Sequence, residues 1–275
     1  MRPEAFFMAV EDGTAGQRFC LYYGPEGDHV RGLVLYVHPF AEEMNKSRRM
    51  AALQAREFSK AGYGVLQIDL LGCGDSSGDF GDATWQSWID DVLLACRWLR
   101  ARSQAPLWLW GLRAGCLIAA QAARQLNDPC HLLLWQPTLS GKQVLQQFLR
   151  LKAAGEMLSG QAKGAMESLR SQLIAGHAVE VAGYRISPEL AAGLEQANLQ
   201  PAEQIRRVEW IDITTHSDAE VSPASANIIS AWRNTGCALR HQLVRDSAFW
   251  QSSEIEEATK LLDATLAALR ETANA

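Results

Sequence analysis

The chain has 275 residues, of which 48% are hydrophobic and 21% are charged, the composition of an ordinary globular protein. Its net charge of −5 argues against a general nucleic-acid-binding surface, which would need a basic face. No apolar run approaches the roughly 20 residues of a membrane span, and the start, MRPEAFFMAVEDG, lacks the apolar core of a signal peptide. We therefore expect a cytoplasmic protein with no membrane span and no nucleic-acid partner.

The first half of the chain alternates between predicted strands and helices. Two apolar runs separated by a turn, 4–10 and 17–23, predict an antiparallel hairpin. Four further runs, without polar alternation, are typical of strands buried on both faces: 32–40, 65–71, 106–111 and 130–137. Helical spacing follows three of these strands, at 50–63, at 84–102 with Thr84 as a candidate cap, and at 112–126. This alternation predicts an α/β fold with a mostly parallel, doubly wound sheet.

The alternation stops near residue 139 and resumes near residue 205. Between them we predict helices at 142–158 and 162–175, a short β-like stretch at 178–187, and a helix at 187–199. Buried strands resume with VEWIDITT, followed by a helix near 225–235, a strand at 238–244 and a final helix at 252–273. We therefore predict a core made of 1–138 and 205–275, with 139–204 inserted as a mainly helical cap.

The six cysteines are scattered, with no C-x-x-C pair and no histidine–cysteine cluster. This spacing favours reduced thiols over a disulfide framework and predicts no metal site. We expect no cofactor.

One short stretch predicts a specialised turn. Gly111-Leu112-Arg113-Ala114-Gly115 joins a buried strand to a helix and has the glycine spacing of G-x-S-x-G, the turn that carries the nucleophile of serine hydrolases. Arginine stands where the serine would be. A guanidinium group has no acceptor lone pair and stays protonated, so it cannot replace a serine nucleophile.

The order of strands, this turn and the inserted cap together resemble the α/β-hydrolase superfamily. More narrowly, several stretches resemble the group called hydrolase 2 of the exosortase A system. They are HPFAEEMNKSRRM (38–50), DLLGCGDSSGDF (69–80), WQSWIDD (85–91), LWGLRAG (109–115), QQFLRLK (146–152) and FWQSSEIEEA (249–258). The resemblance spans nearly the whole chain. It implies a context of exopolysaccharide synthesis and protein sorting, and a second hydrolase-like protein as a candidate partner.

The superfamily resemblance also implies roles for particular residues. The oxyanion-hole amides would be those of Phe40, after the third strand, and Ala114, after the nucleophile position. The acid would be Asp218, in the D-x-x-V-x-P context of residues 218–223. The histidine should follow the last strand, but no histidine lies between His241 and the C-terminus. Because a Ser-His-Asp cycle needs both nucleophile and base, the ordinary serine-hydrolase mechanism is not expected to run.

Arg113 has two interpretations. At a helix N-terminus beside amides that suit negative charge, it could bind a carboxylate, phosphate or sulfate. Alternatively, it could form an internal ion pair with Glu42, Glu43 or Asp218. A ligand that displaces one carboxylate would reconcile the two.

Three other residues are candidates for chemistry. Cys116 lies three residues past Arg113 and could be a replacement nucleophile, or simply an apolar core side chain. His216, two residues before Asp218, could serve as a base or anion contact, as could His38 at the end of the third strand. Either histidine could instead hydrogen-bond to its own loop.

Three functions remain open at this point. The first is a protein of the exosortase A system with a degenerate triad that binds a small, anionic acyl or glycan-linked ligand with little esterase turnover. The second is an active ester or thioester hydrolase or acyltransferase that uses Cys116 or His216. The third is a non-catalytic partner of the second hydrolase-like protein.

Overall fold

The computed structural model describes residues 2–10, 16–158, 164–252 and 254–270, with the backbone alone for 153–158 and 165. Its strands are β1 (Glu4–Ala9), β2 (Gln17–Tyr23), β3 (Gly32–Val37), β4 (Tyr63–Ile68), β5 (Leu107–Leu112), β6 (Cys130–Trp135), β7 (Val179–Val181), β8 (Tyr184–Ile186), β9 (Ile205–Thr214) and β10 (Ala238–Arg245). Its helices are α1 (Glu42–Lys60), α2 (Trp85–Arg100), α3 (Gly115–Ala123), α4 (Gly141–Leu158), α5 (Ala165–Ile174), α6 (Pro188–Gln196), α7 (Pro223–Asn234) and α8 (Thr259–Arg270).

Eight of the strands form one sheet in the order β1-β2-β4-β3-β5-β6-β9-β10. The β1–β2 hairpin is antiparallel, β2 is antiparallel to β4, and every other pair in the sheet is parallel. The predicted α/β class and mostly parallel sheet are confirmed. From β3 the chain first moves to β4 on one side, and from β5 it moves to β6 on the other. The carboxyl ends of β3 and β5 are therefore a topological switch point, where open α/β sheets form their binding crevices.

Helices cover both faces of the sheet and divide the core in two. Helices α1 and α8 cover the face that holds Val34 and Tyr36, whereas α2, α3 and α7 cover the face that holds Leu33 and Leu35. Successive residues of β3 thus point into different apolar layers, and all six are buried. This explains why the central strands read as continuous apolar runs.

The boundaries of two helices differ from the prediction. Helix α1 begins at Glu42, eight residues before the predicted Met50, because its first two turns are mostly polar and show no apolar period. The acids in the first turn suit the helix dipole. Helix α8 begins at Thr259, seven residues after the predicted start. The cap on α2 is confirmed, since the Thr84 hydroxyl accepts from the Ser87 amide. No helix in the described ranges is long and apolar enough to cross a membrane.

The segment between β6 and β9, residues 139–204, is called the cap segment below. It holds α4, α5, the β7–β8 hairpin and α6. Its ends are tied together by the Gly141 amide donating to the Ala197 carbonyl (2.8 Å). Helix α6 lies so close to α2 that a Cβ on Gly193 would come within 2.3 Å of the Trp85 Cβ. The second contact packs α6 of this segment directly against α2.

Candidate functional site

The turn after β5 has the strained geometry that its glycine spacing predicts. Arg113 has a φ of 55°, in the left-handed region that only glycine adopts freely. A Cβ on Gly111 would lie 2.6 Å from the Cys116 Cα, and one on Gly115 would lie 2.3 Å from the Val37 carbonyl oxygen. Both glycines are therefore needed for the strand, turn and helix to pack. This is the nucleophile elbow of a hydrolase, with arginine at its centre.

Arg113 contacts one carboxylate and one amide. Its Nε lies 3.3 Å from the Glu43 Oε1, and its Nη2 lies 3.4 Å from the Gln147 Oε1 on α4. The ring of Trp250 lies 5.8 Å from the guanidinium carbon. Both contacts are long, and neither is bidentate. Within the described ranges the remaining guanidinium hydrogens meet no acceptor, so Arg113 keeps donors for a ligand.

Arg113 therefore forms its internal ion pair with Glu43, which follows Glu42 in the first turn of α1. Burial raises the pKa of the Glu43 carboxyl above its usual range, against the lowering effect of the Arg113 charge. Glu42 lines the neighbouring cavity without contacting the guanidinium. The pairing of Arg113 with Asp218 does not form, because Asp218 is exposed in the loop after β9.

A cavity of about 350 Å³ opens beside Arg113, at the switch point of the sheet and beneath α4. Its polar lining residues are Glu42, Glu43, Arg113, Thr138, Gln147 and Gln251. Its apolar lining residues are Phe40, Ala114, Val144, Phe148 and Leu151. The volume lies at the low end of the range for small-molecule sites, about 300–1,000 Å³.

The two residues assigned to an oxyanion hole both line this cavity. Phe40 follows β3, and Ala114 occupies the N-cap position of α3. Neither backbone N–H donates to a protein acceptor in the part of the chain that the structure describes. Phe40, Ala114 and Arg113 thus line the same cavity, and free backbone amides beside a guanidinium suit a small anion.

His216 and Asp218 are not brought together with Arg113. Both are exposed after β9, and neither lines the cavity. The His216 amide donates to the Thr214 hydroxyl (3.1 Å), a contact within its own loop. The expected contact of His216 with the cavity does not form, because His216 is exposed in the loop after β9 and lies outside the cavity lining.

Cys116 and His38 are buried and are engaged with the backbone. The Cys116 Sγ lies 3.7 Å from the Trp135 carbonyl oxygen, and burial raises the pKa of its thiol far above the ordinary value. The His38 Nδ1 lies 2.8 Å from the Pro39 carbonyl oxygen, and its Nε2 accepts from the Leu70 amide at 3.3 Å. Burial also lowers the His38 pKa, which favours the neutral ring. Neither residue lines the cavity, so neither has a free polar atom there.

Three residues at the site carried no recognisable sequence signal for a role there. Gln147 reaches Arg113 from α4, and Trp250 approaches it from the loop after β10, where a hydrolase would have its histidine. Thr138 is 6% exposed, and its hydroxyl has no hydrogen-bond partner among the described residues. A buried, unpartnered hydroxyl in a cavity wall is an available donor or acceptor for a ligand.

No group of three or more histidine, cysteine or acidic side chains suited to a metal ion occurs among the described residues. The polar groups around the cavity are instead one cation, two carboxylates and neutral amides and hydroxyls. Such a set suits an organic ligand better than a metal ion.

The fold, the elbow and the switch-point cavity define an α/β hydrolase. The chain belongs to the serine aminopeptidase S33 family, whose sequence profile matches residues 28–183. It is similar to the human protein ABHD12B, with 30% identity over 110 residues, which are 40% of this chain and 29% of ABHD12B. The match therefore spans less than a third of that relative.

Two solved structures that share this fold align with 98% of this chain. One is Est1E of Butyrivibrio proteoclasticus with bound ferulic acid, with a TM-score of 0.64, 13% identity, and 98% of this chain and 97% of that chain covered. The other is a thermostable carboxyl esterase of Bacillus coagulans, with a TM-score of 0.63, 14% identity, and 98% and 99% covered. A serine hydrolase without a lid from Xanthomonas campestris has a TM-score of 0.58 and 18% identity, with 99% and 95% covered. At these identities the likeness concerns the fold alone.

Proposed function

We propose that this protein is a hydrolase-fold protein with a degenerate serine triad that binds a small anionic ligand at Arg113 with little esterase turnover. The sequence places arginine at the centre of the elbow and no histidine after His241. Arginine has no lone pair for attack, and Trp250 occupies the loop from which a histidine would act. The ligand would be an acyl or glycan-linked anion held between the cap segment and the core.

A single observation carries this proposal: the cation at the elbow borders a cavity that is not filled. Arg113 is paired with Glu43 through one long contact, yet about 350 Å³ remains beside it. The residues of the two candidate oxyanion amides and Thr138, whose hydroxyl has no partner in the described part of the chain, line the same cavity. A protein that used the fold only as a scaffold would have no need for a cavity with these hydrogen-bond donors.

The finer parts of the proposal rest on sequence resemblance. The stretches at 38–50 and 146–152 are similar to hydrolase 2 of the exosortase A system. We accordingly place the protein in the cytoplasm within an exopolysaccharide system, with a second hydrolase-like protein as candidate partner. We assign 139–204 to the cap and 1–138 with 205–275 to the core. No cofactor is needed for binding of this kind.

The two other functions lack an observation in their favour. A cysteine mechanism would need an accessible thiolate, whereas Cys116 is fully buried with a raised thiol pKa. A histidine base at position 216 would act far from the elbow, because His216 does not line the cavity. An interaction platform would suit a collapsed pocket better than the open one that is present.

The first experiment combines turnover with ligand binding. Purified protein is assayed against p-nitrophenyl esters and acyl thioesters, and its thermal shift is measured with octanoate. We expect no turnover above background and a stabilising shift that Arg113→Ala abolishes. The matched control is Arg56→Ala, which removes an exposed arginine from α1 and should keep the shift.

Two outcomes would contradict the proposal. The first is ester or thioester turnover that disappears in Cys116→Ala or His216→Ala, which would reveal an active enzyme. The second is an octanoate shift that survives Arg113→Ala unchanged, or that is absent in the unaltered protein.

A further inference from the structure

We infer that Glu43 determines the specificity of the cavity by making it accept a monocarboxylic acid together with one proton, in preference to a dianion such as a phosphate monoester. This inference rests on the proposed function, because it concerns the same ligand site. It assigns a role to the carboxylate that contacts the elbow cation.

The Arg113–Glu43 pair restricts how an anion can approach the elbow. Glu43 reaches the guanidinium from the first turn of α1 through one oxygen at 3.3 Å, and its side chain is only 20% exposed. An anion that approaches Arg113 must share the same guanidinium with this carboxylate. Two carboxylates in one partly buried site cannot both ionise freely, because like charges disfavour the charged form.

Charged and neutral groups from each element that packs against Glu43 set the net charge of the site. Helix α1 contributes Glu42, which also lines the cavity, and Lys46, whose Nζ is directed to the Gln251 carbonyl (3.5 Å). The elbow contributes Arg113. Helix α4 and the loop after β10 face the cavity with the neutral amides of Gln147 and Gln251. The cations Arg113 and Lys46 therefore balance the acids Glu42 and Glu43, and a further anion makes the site negative unless a proton enters.

Glu43 is the group best prepared to take that proton. Burial already raises the pKa of its carboxyl against the pull of Arg113. When the ligand carboxylate takes over the guanidinium, one proton from solvent neutralises Glu43, which becomes an O–H donor toward the ligand. The balance is one ligand anion and one proton bound, with no covalent change.

Apolar side chains of the cavity suit the remainder of the ligand. Val144, Phe148 and Leu151 of α4 form an apolar wall, and Leu151 is 44% exposed at its outer end. A short acyl chain would extend along this wall while its carboxylate lies at Arg113. A phosphate monoester carries about −1.5 to −2 at pH 7, so a single proton on Glu43 would leave it incompletely neutralised.

Isothermal titration calorimetry with octanoate tests the inference directly. At pH 7.5, titrations in two buffers with different ionisation enthalpies give the number of protons taken up per octanoate bound. We expect about one for the unaltered protein, and an affinity that falls about tenfold per pH unit above the folded pKa of Glu43. We expect no proton uptake for Glu43→Gln, and its affinity for octanoate should be independent of pH.

Octyl phosphate provides the second arm of the experiment. Glu43→Gln should bind it at least tenfold more tightly than the unaltered protein does, because the competing negative charge is gone. The matched control is Glu167→Gln, which removes an exposed acid from α5 and should change neither the proton count nor the preference.

The outcomes separate this inference from the proposed function. If octanoate binds the unaltered protein without proton uptake, Glu43 does not have this role and the proposed function stands. If octanoate binds neither the unaltered protein nor Glu43→Gln, both are wrong. Should Glu43→Gln fail to fold, the number of protons that the unaltered protein takes up per octanoate still decides whether the inference holds.

Discussion

The left-handed backbone of Arg113 allows the elbow to be tested by comparing glycine with alanine at one position. Arg113→Ala and Arg113→Gly both remove the contact with Glu43, so the difference between them reports only on the backbone. A φ of 55° costs an L-residue about 1–2 kcal/mol that glycine avoids. The greater freedom of unfolded glycine offsets about 0.4–1 kcal/mol of this advantage. We expect Arg113→Gly to be more stable than Arg113→Ala by roughly 0.5–1 kcal/mol.

Position 56 supplies the matched control, because Arg56 is exposed in the middle of α1. In an ordinary helix interior alanine exceeds glycine by about 0.8–1 kcal/mol. The sign of the glycine–alanine difference should therefore reverse between the two positions. Urea unfolding of the four variants at pH 7.5 measures both differences. If alanine is the more stable residue at both positions, the elbow is not strained and the reasoning about Arg113 is wrong.

Three other predictions concern buried groups. Arg113→Ala should lower the melting temperature at pH 7.5, because Glu43 loses its partner. The accompanying loss in the free energy of unfolding should be smaller than the about 3–5 kcal/mol of a fully buried pair. Burial raises the folded pKa of Glu43 above its unfolded value, and the ion pair exists only while Glu43 is ionised. The loss of stability should therefore shrink as pH falls through that folded pKa. Thermal melts from pH 4 to 8 measure the loss, and a loss that is constant with pH would contradict this prediction. Cys116 should resist alkylation in the native protein at neutral pH, and rapid labelling seen by mass spectrometry would reopen a covalent mechanism. Gln54→Leu should raise the free energy of unfolding by about 1–3 kcal/mol, because both polar atoms of the buried Gln54 amide lack partners among the described residues. Urea unfolding measures this change. Unchanged or lower stability would indicate that bound water satisfies the amide.

Local sequence rules worked best where the physical cause is local. The cap at Thr84 and the buried strands follow from spacing and side-chain chemistry within a few residues. The same rules missed the start of α1, because its first turns are stabilised by charge at the helix N-terminus and by burial of Met44 and Ser47 against distant parts of the chain. Periodicity carries no information about such contacts.

The candidate site divides in a similar way. The resemblance to the α/β-hydrolase superfamily assigned Phe40 and Ala114 to the oxyanion hole, and both residues line the cavity. Three carboxylates were open as partners for Arg113, and only folding brings Glu43, 70 residues away in sequence, to the guanidinium. Gln147 and Trp250 reach the same group from the cap segment and from the last loop.

By itself, the sequence determined that an elbow would form and that arginine, rather than serine, would stand at its centre. The spacing of Gly111 and Gly115 sets the turn through short-range sterics, and the identity of residue 113 excludes a nucleophile. Only the tertiary structure decided that Arg113 keeps unpaired donors beside an open cavity and that His216 lies away from it. These features depend on where the cap segment and the loops after β9 and β10 pack, which long-range contacts fix and local pattern does not encode.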